Sequence, residues 1–218
     1  ADAVKRAVEG GRRIPSPPQV PKLNHGNPTG LYNGMIAPVV PFSVKGAIWY
    51  QGESNVGEGM AYHDKMKALI AGWRDVFKND DLSFYFVQIA PYRYNKGEAL
   101  PNIWEAQTAT LKVPGTGMAV ITDVGNIQDI HPMNKQAVGK RLALWAMAKD
   151  YGKKEITFSG PLYKSMKVEG NKIRVDFTST GTGLISRDGI QERLNDSLQT
   201  CLKRGDGLAI VEVVPKKG

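Results

Sequence analysis

The chain has 218 residues, 41% hydrophobic and 23% charged, which is room for one domain and excludes wholesale disorder. Its 29 Lys and Arg exceed 21 Asp and Glu, a formal charge of +8, but the excess is scattered and its densest knot is only Lys5, Arg6, Arg12 and Arg13, so no nucleic-acid partner is expected. The single cysteine, Cys201, excludes an intramolecular disulfide and a thiolate metal site, and the longest apolar run, Met35 to Phe42, is broken by Pro38 and Pro41, so no membrane span is expected.

Residues 1–30 read as an irregular arm, Pro-rich from Ile14 to Pro21, with Asp2 to Glu9 as the last turns of a helix. Residues 1–20 lack the apolar core of a signal peptide, and the compartment stays open. An α/β core follows over 31–150. Val44 to Tyr50 predicts a buried strand that runs into the polar loop Gln51 to Gly59. Tyr62, Met66, Leu69, Ile70, Trp73 and Phe77 recur at helical spacing, which predicts a helix over Ala61 to Phe77. Leu82 to Ala90 is aromatic and β-branched and predicts a second strand. A helix is expected over Ile103 to Leu111 and a third strand over Gly117 to Thr122. The polar loop Asp123 to His131 comes next, and Pro132 suits the first position of a helix from Met133 to Lys149. Strand and helix alternate, which predicts a parallel sheet.

Residues 151–218 read as a short β-rich extension. Ile156 to Phe158, Ser165 to Val168 and Lys172 to Phe177 predict short antiparallel strands, with Gly170-Asn171 as a turn, either at the edge of the sheet or as a separate appendage. Leu208 to Val214 reads as one more strand, and Gln191 to Arg204 fits no pattern.

In an open parallel sheet, ligands bind beyond the carboxyl ends of the strands, so the two polar loops share one rim. In Asp129-Ile130-His131-Pro132 the carboxylate has the spacing to orient the imidazole as a general base. The same pattern also suits a turn that satisfies free amides ahead of Pro132. In the first loop, the Gly52 amide and the Asn55 side chain are donors of the kind an oxyanion hole needs, with Gln51 and Glu53 beside them; a plain Gly/Asn turn is the alternative. Ser54 is a candidate nucleophile, although Val56 stands where a nucleophile elbow has its second Gly. Glu53 with Asp123 or Asp129 forms a second chemistry, a carboxylate pair for glycoside hydrolysis. His25 and His63 read as ordinary surface or packing residues, and Trp49, Tyr50, Tyr92, Tyr94 and Trp104 as core or sugar-lining aromatics.

Leu31 to Pro38, Gly46 to Asn55 (GAIWYQGESN) and Asp129 to Pro132 together resemble the sialate O-acetylesterase family, a branch of the SGNH (GDSL-like) hydrolases. Phe84 to Gln88 and Ser159 to Tyr163 resemble it too, and the likeness runs in order through residues 28–186. It implies a flavodoxin-like three-layer α/β/α fold and removal of O-acetyl groups from sugars without metal or cofactor. It also implies His131 as general base, Asp129 as its orienting carboxylate, and Gly52 and Asn55 as oxyanion donors. The family's nucleophilic serine lies in an early Gly-Gln-Ser-Asn type segment, and nothing like it precedes Leu31; the Gly-rich second block is not found either. The expectation is therefore a domain without the first strands and the family's serine, in which Ser54 or a water replaces that serine; after about Gly189 the likeness also stops, which suggests a truncated gene or a shifted reading frame at the carboxyl end. An uncovered sheet edge then predicts a homo-oligomer. Three functions follow: a carbohydrate-ester hydrolase acting on acetylated sugars, a glycoside hydrolase using Glu53 with Asp123 or Asp129, and a non-catalytic sugar-binding remnant.

Overall fold

The computed structural model describes residues 2–13, 27–94, 97–170 and 172–180. Cys201, His25, the Pro-rich run and the segments expected at 191–204 and 208–214 lie outside the described residues. Contacts divide the chain into two units, the first ending at Ser43 and the second starting at Val44. In the first unit, helix α1 (Asp2–Glu9) ends as Gly11 turns to a φ of +59° and the Arg12 amide donates to Ala7 O. A π-helical turn, Tyr32–Ile36, and a 3-10 turn, Ala37–Val39, follow it in sequence.

The second unit is built on three parallel strands, β1 (Gly46–Trp49), β2 (Ser83–Val87) and β3 (Thr116–Ala119), in spatial order β1-β2-β3. Every residue of β2 is buried, as a central strand covered on both faces requires. Its alternation assigns the two faces. Phe84 and Phe86 pack with Tyr62, Met66 and Ile70 of helix α2 (Ala61–Val76) and with Ile103 and Ala106 of helix α3 (Ala99–Thr110). Tyr85 and Val87 pack with Val138, Leu142 and Trp145 of helix α4 (Lys135–Lys149). Helices thus cover both faces, the arrangement the alternating pattern predicts. Gly117 makes room for α4: a Cβ there would lie 2.5 Å from the Trp145 ring. Ser83 Oγ and Tyr85 OH donate to the two oxygens of Asp150, at 2.6 and 2.8 Å, and fasten the end of α4 to the start of β2.

Two helix starts differ from expectation. α3 begins at Ala99, four residues ahead of Ile103, because Pro101 falls in its first turn, where its missing N–H has no intrahelical partner to lose. α4 begins at Lys135 and not around Pro132, because Asn134 is its cap: Asn134 Oδ1 accepts from the Ala137 amide at 3.0 Å. Ile156 to Phe158 is not a strand; Phe158 instead packs edge-on against Trp145, with ring centroids 4.7 Å apart. The later strands, β4 (Leu162–Glu169) and β5 (Lys172–Thr178), pair antiparallel, with Gly170 after β4 at a φ of +62°. They form a two-stranded sheet of their own. His63 Nδ1 lies 3.1 Å from Thr110 Oγ1 and links α2 to α3, a packing histidine as its sequence position suggests.

β1 pairs only with β2 among the described residues, and Ile48 on it is 69% exposed. No helix among the described residues is long and apolar enough to cross a membrane.

Candidate active site

Because β1, β2 and β3 are parallel, the loops after them emerge at one end of the sheet. The loop after β1 turns at Gly52, which is buried and holds a φ of +150°. A Cβ at that position would meet Ile89 Cγ2 at 2.9 Å and Tyr62 OH at 3.2 Å. Only glycine lets the backbone pass so close to the end of β2.

Polar side chains then lock the loop. Tyr62 OH donates to the Gln51 carbonyl at 2.8 Å and reaches Gln51 Oε1 at 3.2 Å. Gln51 Nε2 donates to Asn55 Oδ1 at 2.7 Å, and Asn55 Nδ2 donates to Glu58 Oε1 at 2.9 Å. Lys65 Nζ donates to the same Glu58 oxygen at 2.8 Å. The bonds from Lys65 and Asn55 hold the Glu58 carboxyl below the usual carboxylate range. Burial pushes the Tyr62 hydroxyl up to about 12, and the nearby Glu53 charge adds to it. Burial first and Glu53 second also raise Tyr50, and raise Tyr94 to about 12. Glu53 therefore sits among three tyrosines. Trp49 Nε1 and the hydroxyls of Tyr50 and Tyr94 are buried there without a hydrogen-bond partner. Ser54 is exposed.

The loop after β2 leans on its neighbours. Gln107, buried on α3, accepts from the Ile89 amide at 3.1 Å and donates to Val87 O at 3.2 Å. It thereby satisfies backbone groups that β2 leaves open at its end. The Arg93 amide donates to Ile127 O at 2.9 Å and joins this loop to the one after β3.

In the loop after β3, Asp129 Oδ1 accepts from the His131 backbone amide at 2.9 Å. The imidazole Nδ1 lies 3.7 Å from that same oxygen, too far for a hydrogen bond, and the His131 side chain is 85% exposed. Asp129 thus makes a local turn here. The structure puts Asp129 and His131 side by side, and among the described residues no hydrogen bond joins His131 to Ser54. Asp123 is held elsewhere: Arg141 grips both its oxygens at 2.6 Å. Hydrogen bonding to Arg141 keeps the Asp123 carboxyl low, so it holds no proton near neutrality for glycosidic acid catalysis. Lys135 Nζ lies 4.9 Å above the Tyr50 ring and ties the head of α4 to the end of β1.

Sequence reading missed Tyr62, Glu58, Gln107 and Arg141. A signal for Gln107 was present: Ile103, Ala106, Gln107 and Thr110 mark one helical face, and a glutamine on an apolar face needs partners. Among the described residues there is no group of three or more His, Cys, Asp or Glu that could hold a metal ion.

Comparison with known proteins gives a consistent picture. A family model described as carbohydrate esterase, sialic acid-specific acetylesterase, matches residues 10–148. The sialate O-acetylesterase of Rattus norvegicus is 36% identical over 177 residues, 72% of this chain and 32% of that protein. The sialate O-acetylesterase of Homo sapiens is 34% identical over 168 residues, 68% of this chain and 32% of that protein. The crystal structure of a carbohydrate acetylesterase from Xanthomonas citri aligns with a TM-score of 0.63 at 42% identity, over 67% of this chain and 35% of that one. The chain therefore spans about a third of the length of the curated relatives it matches.

Proposed function

The chain belongs to the sialic acid-specific acetylesterase family of carbohydrate esterases, and on that premise we propose that it is a carbohydrate O-acetylesterase acting on acetylated sugars. The observation that carries this reading is that the family match, residues 10–148, spans both rim loops, the one with Gly52 and Asn55 and the one with Asp129 and His131. In the proposed mechanism His131 takes a proton from the nucleophile, which is Ser54 or a water. Asp129 swings from the His131 amide to its ring and fixes the tautomer, a closure of about 1 Å from the present 3.7 Å. Loose contacts of this kind tighten when substrate binds. The Gly52 amide and Asn55 Nδ2 stabilise the oxyanion, while Gln51 and Glu53 face the sugar. The strand order and the helices on both faces support a flavodoxin-like α/β/α fold of the SGNH type.

Turnover of a chromogenic acetyl ester tests the reading. His131→Ala is expected to lose about 10²-fold or more, the scale of general-base catalysis. Turnover equal in both proteins would sink the assigned role. The partner proposed beside the sugar ester is a second copy of this chain, meeting at the open edge of β1 around Ile48. Light scattering is expected to give a mass above one chain, rising with concentration. A single-chain mass at every concentration removes that part of the proposal.

A further inference from the structure

We propose that Glu58 is a positioning residue, which sets the sense of the Asn55 amide so that a nitrogen, and not an oxygen, is presented to the reacting oxyanion. The inference rests on the reading of Asn55 as an oxyanion donor. The two ends of an asparagine amide have nearly the same shape, so sterics alone cannot choose between them. Hydrogen bonding chooses here. Glu58 Oε1, 2.9 Å from Asn55, is a carboxylate oxygen and can only accept, so it must face Nδ2. The Gln51 contact agrees with this sense: its nitrogen end donates to Asn55 Oδ1 at 2.7 Å.

A flipped Asn55 would set oxygen against the Glu58 carboxylate and nitrogen against Gln51 Nε2. Gln51 can turn its own amide to meet a flipped Asn55, whereas the Glu58 carboxylate cannot donate, so the flip is opposed at the Glu58 end. Lys65 Nζ, 2.8 Å from Glu58 Oε1, holds the carboxylate in place and keeps it ionised to lower pH than an isolated glutamate. Nδ2 carries two hydrogens. Glu58 takes one, and the other is left for the charge that develops on an ester oxygen. The chain of bonds runs Tyr62, Gln51, Asn55, Glu58, Lys65, and of these Asn55 is the one that meets the reacting oxygen. Gln51 precedes the short helical turn Glu53–Asn55, Asn55 ends it and Glu58 follows it, so the loop folds the three side chains together.

Two measurements on the full chain test this. The first is the pair of Asn55 side-chain amide resonances in a ¹⁵N-labelled sample, which does not depend on turnover. In the unaltered chain the two protons are expected to be widely separated. The separation should collapse in Glu58→Leu, which leaves no acceptor, and also when acid titrates Glu58. In Lys65→Met the acid collapse should move to higher pH, because the bond that lowers the Glu58 pKa is gone. Asn55 resonances indifferent to Glu58→Leu overturn the proposal. The second is turnover of nitrophenyl acetate. Glu58→Ala is expected to lower kcat roughly 10- to 100-fold with KM unchanged, as a donor displaced by about 1 Å would. Added to Asn55→Ala, it should cost nothing more. A loss in Glu58→Ala that multiplies with that of Asn55→Ala overturns the proposal, since the two would then act separately. If the unaltered chain shows no turnover, the oxyanion reading of Asn55 falls, while the resonances still decide whether Glu58 sets the amide.

Discussion

Replacing Gly52 by Ala is expected to destabilise the fold by about 2–5 kcal/mol, from two costs that fall on one atom. The first is conformational. Gly52 holds a φ of +150° with ψ near −14°, a region L side chains rarely adopt. The second is steric. The new Cβ would lie 2.9 Å from Ile89 Cγ2, and Ile89 is fully buried at the end of β2. Ile89 cannot yield easily, since Gln107 holds its amide at 3.1 Å. The backbone of the first rim loop must therefore move, and with it the Gly52 amide. Urea unfolding of both proteins reads the stability term, and acetyl-ester turnover reads the displaced amide. A difference in stability within about 0.5 kcal/mol, the range of ordinary surface changes, would show that the loop relaxes freely and that Gly52 is not a packing constraint.

The largest purely structural effect is expected at Phe86. It is 0% exposed, on the central strand, in the cluster shared by α2 and α3. Phe86→Ala is expected to cost about 3–5 kcal/mol, the transfer of the ring plus the cavity it leaves. Phe42, 69% exposed, is the control: its replacement by Ala should stay within about 0.5 kcal/mol. Equal losses at the two sites would contradict the burial described for β2.

Strand β2 was legible because it is continuous in apolar and aromatic residues, as a strand covered on both faces is; β1, expected to be buried, forms where the reading put it but has no buried residue. Helix α2 was legible from its periodicity, and its observed span, Ala61–Val76, departs from the reading by one residue. The start of α4 was not. Pro132 is a strong local signal, but Asn134 competes two residues later and caps a later amide, and a single sequence does not rank the two. Ile156 to Phe158 failed for another reason. Its β-branched and aromatic residues are those of a strand, but Phe158 is spent on Trp145. In the site, the sequence placed both loops on one rim, because that follows from parallel order alone. It could not show that Asp129 is bonded to a backbone amide while the ring waits 3.7 Å away. Nor could it show that Asp123 belongs to Arg141, a partner 18 residues on. Those are matters of side-chain rotamer and distance.

The two bonds that fasten Asp150 also bear on how this molecule can move. Ser83 and Tyr85 grip Asp150 at the opposite end of the sheet from the rim, so α4 is moored by its tail. Beyond the Asp123–Arg141 pair, residues 125–131 are tethered more lightly, by turns within themselves at Asn126 and Asp129 and by the bond from the Arg93 amide to Ile127. A guest that draws His131 inward pulls on that short tether and leaves its mooring undisturbed. Movement of His131 can be confined to the rim, because the bonds at Asp150 lie at the far end of the sheet.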